Sequence, residues 1–120
     1  MVEVLGTTEF EEWFLGLGST DAQAVARGVG LLEVKGLALG FPYSSALEGS
    51  RHALRELRVQ SSGRPLRIVY AFDPRRQAVL ILGGDKTGDD RFYLRMIPQA
   101  EAIWERYLEE LRCTETRSTY

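Results

Sequence analysis

The apolar positions change period along the chain, and each change marks a new element. Phe10, Trp13, Phe14 and Leu17 recur at i, i+3, i+4 and i+7, one stripe of an α-helix. Thr8 and Glu11 match a capping box at its start, in which each side chain satisfies a free backbone N–H of the first turn. Gly16 and Gly18 stop this helix. Ser19, Thr20 and Asp21 offer capping oxygens for a second one, which carries Ala22, Val25, Val29 and Leu32 on one face and ends before Gly36, Gly40 and Pro42. Gly28 and Gly30 inside it each cost about 0.5–1 kcal/mol relative to alanine, so packing must hold it.

A period of two follows. Val2–Leu5 is a short edge-strand candidate, and Phe41–Ser50 has the composition of a loop. In Leu54–Val59, Leu57 and Val59 face one way while Glu56, Arg58 and Gln60 face the other. Ser61-Ser62-Gly63 is turn chemistry. Leu66–Phe72 is apolar on both faces except at Arg67, as a central strand would be, and Asp73-Pro74 turns the chain into Ala78–Leu82, which Gly83-Gly84 is expected to end. Asp89 or Asp90 can cap a helix through Met96, and Pro98 fits the first turn of a final helix with Ile103, Trp104, Tyr107, Leu108 and Leu111 inward. The expected order is β-α-α-β-β-β-α: a small, mainly antiparallel sheet covered by helices, an α+β domain of two layers. Residues 1–113 make one such domain, and the polar segment 114–120 is expected to fray.

Charge adds a contrast. The net charge is −2, yet seven arginines lie between Arg51 and Arg76 against only Glu56 and Asp73. A basic stretch on an acidic frame suits either a local polyanion site or a solvated hairpin paired with carboxylates elsewhere. No apolar run approaches the roughly 20 residues of a membrane span. The first residues lack the pattern of a secretion signal, and a lone cysteine, Cys113, leaves no internal disulfide; both fit a reducing cytoplasm.

The chemistry concentrates in Arg58–Arg67 and Gly83–Tyr93. Arginine presents a planar fork to phosphate oxygens and stays charged. Arg58 and Arg67 lie in neighbouring strands, and an arginine among apolar neighbours needs an anion or another partner. Arg55, Arg64 and Arg91 extend the basic surface, while Tyr70, Phe92 or Tyr93 offers a ring on which an unpaired base can stack. Lys86 and Tyr93 are acid–base candidates only if the arginines depress values that ordinarily lie near 10. His52, at a strand start, has no carboxylate partner nearby in sequence and reads as structural or rim-facing. Asp85, Asp89 and Asp90 admit a magnesium reading, but helix capping explains Asp89 and Asp90 without a metal. Gly83-Gly84 before Lys86-Thr87 lacks the spacing of a phosphate-binding loop.

The segments ELR, GRPLRI, YAFD and GGDKTGDDRFY, in that order behind a helical hairpin, resemble the phage-derived Gp49-like branch of the HigB toxins, within the RelE superfamily. The likeness spans nearly the whole chain. It implies a ribosome-dependent mRNA endonuclease, acting in the cytoplasm and neutralised by a helix-turn-helix antitoxin of the HigA type. The implied reaction is attack of an RNA 2′-hydroxyl on the adjacent phosphate, with no metal or other cofactor. By position the resemblance assigns catalysis to Arg58, Arg67, Lys86 and Tyr93, with Phe92 competing for the last place; Arg55, Arg64, Arg91 and Tyr70 are left to bind RNA. Some HigB members centre their sites on histidine, and none lies in Gly83–Tyr93 here. A non-catalytic RNA- or protein-binding module of the same fold is the alternative. A third reading gives Phe10, Trp13 and Phe14 to an antitoxin or a second copy rather than to the core.

Overall fold

A computed structural model describes the backbone of residues 1–118 and the side chains as far as Thr114. The elements are β1 (Val4–Gly6), α1 (Thr8–Leu15), α2 (Ser19–Lys35), a short 3-10 turn (Gly36–Ala38), β2 (Ser44–Ala46), β3 (Arg55–Ser61), β4 (Arg64–Phe72), β5 (Ala78–Asp85) and α3 (Phe92–Ser118). The sheet order is β1-β5-β4-β3-β2, with β1 parallel to β5 and every other pair antiparallel. The α+β class and the order of the main elements agree with the sequence. The cover, however, is divided. Phe10, Val25 and Leu32 from α1 and α2 pack with Leu57, Ile68, Tyr70 and Leu80 on one face. Phe92, Met96, Ile103 and Trp104 from α3 pack with Val69, Val79 and Ile81 on the other, so helices lie on both sides of the sheet. The stripe Phe10-Trp13-Phe14 belongs to the first of these cores rather than to a docking surface.

Several local expectations give way to packing. Thr7, not Thr8, caps α1, its hydroxyl accepting the Phe10 N–H at 3.1 Å. The expected loop before Ser50 contains β2, which pairs Ser44–Ala46 with Arg55–Leu57. Pro98 starts no new helix: α3 is continuous through it. Pro98 cannot serve the Leu94 carbonyl one turn earlier, but both residues face solvent, which can. The fraying expected from Thr114 concerns side chains that, beyond Thr114, lie outside the described residues, as do residues 119–120 altogether.

Gly83 and Gly84 do not end the strand; they lie inside β5 and permit close packing on its two faces. A Cβ on Gly83 would stand 2.2 Å from Trp13 Cε3, and one on Gly84 would stand 2.8 Å from Met96 Cε. Gly28 serves the same purpose, bringing α2 against Val59, whereas Gly30 has nothing within 4 Å of an added Cβ. Gly83→Ala is therefore expected to destabilise the fold by about 1–3 kcal/mol through overpacking. Gly30→Ala is expected to stabilise it by about 0.4–1 kcal/mol. Urea titration of the two variants checks the opposite signs.

Candidate active site

The hairpin β3–β4 sets the frame. Its register pairs Arg58 with Arg67 and Glu56 with Val69. Alternation then sends Leu57 and Val59 into the α1/α2 core and turns Glu56, Arg58 and Arg67 to the opposite face. The first turn of α3 lowers Tyr93 onto this face. Lys86 follows β5, its backbone N–H donating to Pro65 O at 2.9 Å, which carries the ladder one step past Asp85.

Glu56 is the hub. It is 5% exposed. Its Oε2 accepts from Arg58 Nη1 at 3.1 Å and Ser45 Oγ at 2.9 Å, and its Oε1 accepts from Tyr93 Oη at 2.6 Å. Arg67 Nε lies 3.5 Å from Glu56 Oε1, an ion pair without hydrogen-bond geometry, while Arg67 Nη1 donates to Leu66 O at 3.0 Å. Among the described residues Arg67 Nε is the one buried side-chain nitrogen or oxygen without a hydrogen-bond partner. Glu56 thus supplies the anion that Arg67 requires. Arg58, 32% exposed at its side chain, is the arginine of the pair open to solvent. Its guanidinium also lies 5.6 Å from the centre of the Phe41 ring.

Lys86 Nζ sits over the Tyr93 ring at 5.4 Å. Arg58, Arg67, Lys86 and Tyr93 are therefore joined through Glu56 and Tyr93. Phe92 does not compete with Tyr93, because it is buried in the α3 core. The Tyr93 hydroxyl is pushed above its ordinary value by burial and then by Glu56, with Arg67 opposing. This reverses the depression by arginines that a tyrosine base would need.

Other residues expected at the site lie elsewhere. Tyr70 is fully buried and bonds Ser44 Oγ at 2.5 Å, so its ring has no face for a base. Arg55 donates to Ser44 Oγ at 3.1 Å, beside Tyr70. Arg64 is clamped between Asp21 and Asp85, whose carboxyls are held low, Asp21 first by Ser61 and then Arg64, Asp85 first by Thr87. Arg91 is exposed just before α3, its backbone N–H on Asp89 Oδ1 at 3.0 Å. Asp89 also pairs with Arg95, and Asp85 accepts from Thr87, so these carboxylates serve the loop and the helix start separately. His52 does have a carboxylate partner, Glu105 Oε2 at 2.8 Å, more than fifty residues away in sequence.

The residue missed from sequence is Glu56 as a centre. Its alternation with Leu57 placed it beside Arg58, but nothing local told that α3 would bury that face.

The profile of the phage-derived Gp49-like proteins matches residues 12–105. The Mycobacterium tuberculosis protein named as toxin HigB3 is 40% identical over 102 residues, covering 83% of this chain and 88% of that protein. The one named as toxin HigB2, from the same organism, is 35% identical over 108 residues, 88% of this chain but only 54% of that protein's length. The free-state structure of a mutant of the E. coli toxin RelE superposes with a TM-score of 0.56 over 76% of this chain and 90% of that one, at 14% identity, a likeness of fold. With the profile match spanning most of the chain and HigB3 aligned almost end to end, the chain belongs to the phage-derived Gp49-like family and is a homologue of the HigB toxins.

Proposed function

We propose that this protein is the toxin of a toxin–antitoxin pair and cleaves mRNA on the ribosome, in the cytoplasm, until a helix-turn-helix antitoxin of the HigA type binds it. The observation that supports this most is the facing pair Arg58 and Arg67 on the sheet face that also carries Lys86 and Tyr93. In the reaction, an RNA 2′-oxygen attacks the adjacent phosphorus and the 5′-oxygen bond breaks, leaving a 2′,3′-cyclic phosphate and a 5′-hydroxyl. Arg58 and Lys86 neutralise the charge that builds on the pentacoordinate phosphate. Arg67, buried behind them, holds Glu56 and through it the orientation of Arg58. The proton of the attacking 2′-hydroxyl passes to solvent water, and the Tyr93 hydroxyl, held by Glu56 at 2.6 Å, donates its proton to the departing 5′-oxygen and is reprotonated from water.

No helix among the described residues is long and apolar enough to cross a membrane. The decisive experiment is expression without antitoxin, followed by mapping of RNA 3′ ends on purified ribosomes. Growth arrest with cyclic-phosphate ends is expected. Salt-sensitive RNA binding without scission would instead make the chain a binding module.

The raised pKa of Tyr93 gives a pH test. Because its pKa is raised above the ordinary value near 10, the phenol stays protonated throughout the range below about pH 10, and its donor role is lost only at still higher pH. Comparison of wild type with Tyr93→Phe is expected to show a rate ratio that is flat from about pH 6 to 9. A ratio that climbs through neutral pH would show Tyr93 acting as a base and overturn this assignment.

A further inference from the structure

With Tyr70 and Phe92 in the cores, the face that carries Arg58 would have to find its base-stacking rings elsewhere. The segment Phe41-Pro42-Tyr43 supplies two. Phe41 is 79% exposed and Tyr43 51% exposed, although both are large and apolar. The loop that presents them is nevertheless tightly held: Leu39 before it and Ser44 after it are buried. Tyr43 N–H donates to Gly40 O at 3.0 Å, and Tyr43 O accepts the Arg58 N–H at 2.8 Å. Two rings fixed in water at a defined place gain the fold nothing by their exposure, which is the mark of a surface used for binding.

The surroundings name the ligand. Tyr43 walls a groove of about 630 Å³ that wraps the edge of β3 beyond its pairing with β2, with Arg27 on one side and Arg58, Gln60 and Arg67 on the other. Every charged residue lining the groove is an arginine. Phe41 adjoins it, the Arg58 guanidinium 5.6 Å from its ring centre. Apolar rings next to cations, with no lining carboxylate, fit a polyanion that also carries flat π-faces, which is single-stranded RNA. Gln60 adds an exposed amide able to meet a base edge.

From this placement we infer that Phe41 and Tyr43 form a base-stacking subsite that holds the nucleotide next to the scissile phosphate, whose oxygens Arg58 receives. The subsite rests on the nuclease reading above and adds the element that positions the substrate.

The test uses the full-length protein, a short single-stranded RNA with every 2′-hydroxyl methylated to block cleavage, and ribosomes carrying a defined mRNA. Phe41→Ala and Tyr43→Ala are expected to melt like wild type and to bind the blocked RNA about tenfold more weakly each, with Phe41→Trp restoring affinity. An abasic residue walked along the RNA is expected to cause the same loss at one position in wild type, and no further loss there in the variants. Unchanged binding by both variants overturns the subsite, as do losses that add at every position. Variants that bind and cleave like wild type but escape a purified antitoxin would make the loop a protein-docking surface, overturning the subsite and leaving the nuclease intact. If wild type cleaves no mRNA, the nuclease reading falls and with it the scissile phosphate; ring-dependent binding of the blocked RNA would still support base stacking on Phe41 and Tyr43.

Discussion

Glu56→Ala is expected to lower the stability of the fold by about 3–5 kcal/mol. The carboxylate lies between Arg67 and Tyr93, and Glu56 and Arg67 are each only 6% exposed at their side chains. Removing it leaves the Arg67 guanidinium buried without its carboxylate, although Leu66 O still accepts from Nη1, and leaves the Tyr93 hydroxyl without its acceptor. An uncompensated buried cation is far costlier than the net worth of the pair it came from. The double variant Glu56→Ala, Arg67→Met is accordingly expected to recover most of the loss, since it removes both charges and refills the volume with apolar atoms. Urea titration of the wild type, the two single variants and the double one measures the coupling. Additive losses in that cycle would show that the two side chains do not depend on each other.

What was legible in the sequence was what periodicity and turns encode. The stripe Phe10-Trp13-Phe14 and the alternation around Leu57 were enough for α1 and β3, and the Ser62-Gly63 turn sets Arg58 opposite Arg67 without any tertiary information. Elements defined by a neighbour were not legible. Ser44–Ala46 has no apolar alternation and becomes a strand only because β3 offers an edge. Gly83-Gly84 reads as a terminator until Trp13 and Met96 are seen lying against it. The same limit governs the site. That Glu56 shares a face with Arg58 follows from period two, but its burial depends on where α3 docks, and Tyr93 reaches it from 37 residues away. Phe41 and Tyr43 sat in a stretch of loop composition, where exposed rings leave no periodic trace.

Arg58→Ala is expected to lower the rate of mRNA cleavage on ribosomes by about 10²–10³-fold, the effect of removing one preorganised donor to a charge that grows in the transition state. The same change is expected to cost the fold only about 1 kcal/mol, because Arg58 is a third exposed at its side chain and Glu56 keeps Ser45, Tyr93 and Arg67. That separation distinguishes Arg58 from Arg67, whose loss damages fold and site together. Arg58→Lys keeps the charge but not the planar fork that spans two phosphate oxygens while resting beside the Phe41 ring. It is expected to recover only part of the rate. Single-turnover cleavage at saturating ribosome concentration reads the chemical step apart from binding. If Arg58→Ala cleaves at the wild-type rate, the phosphate is held elsewhere and the facing arginines are a structural ion pair. A rate loss found only below saturation would instead place Arg58 with Phe41 and Tyr43 in binding, and leave the transition-state charge to Lys86.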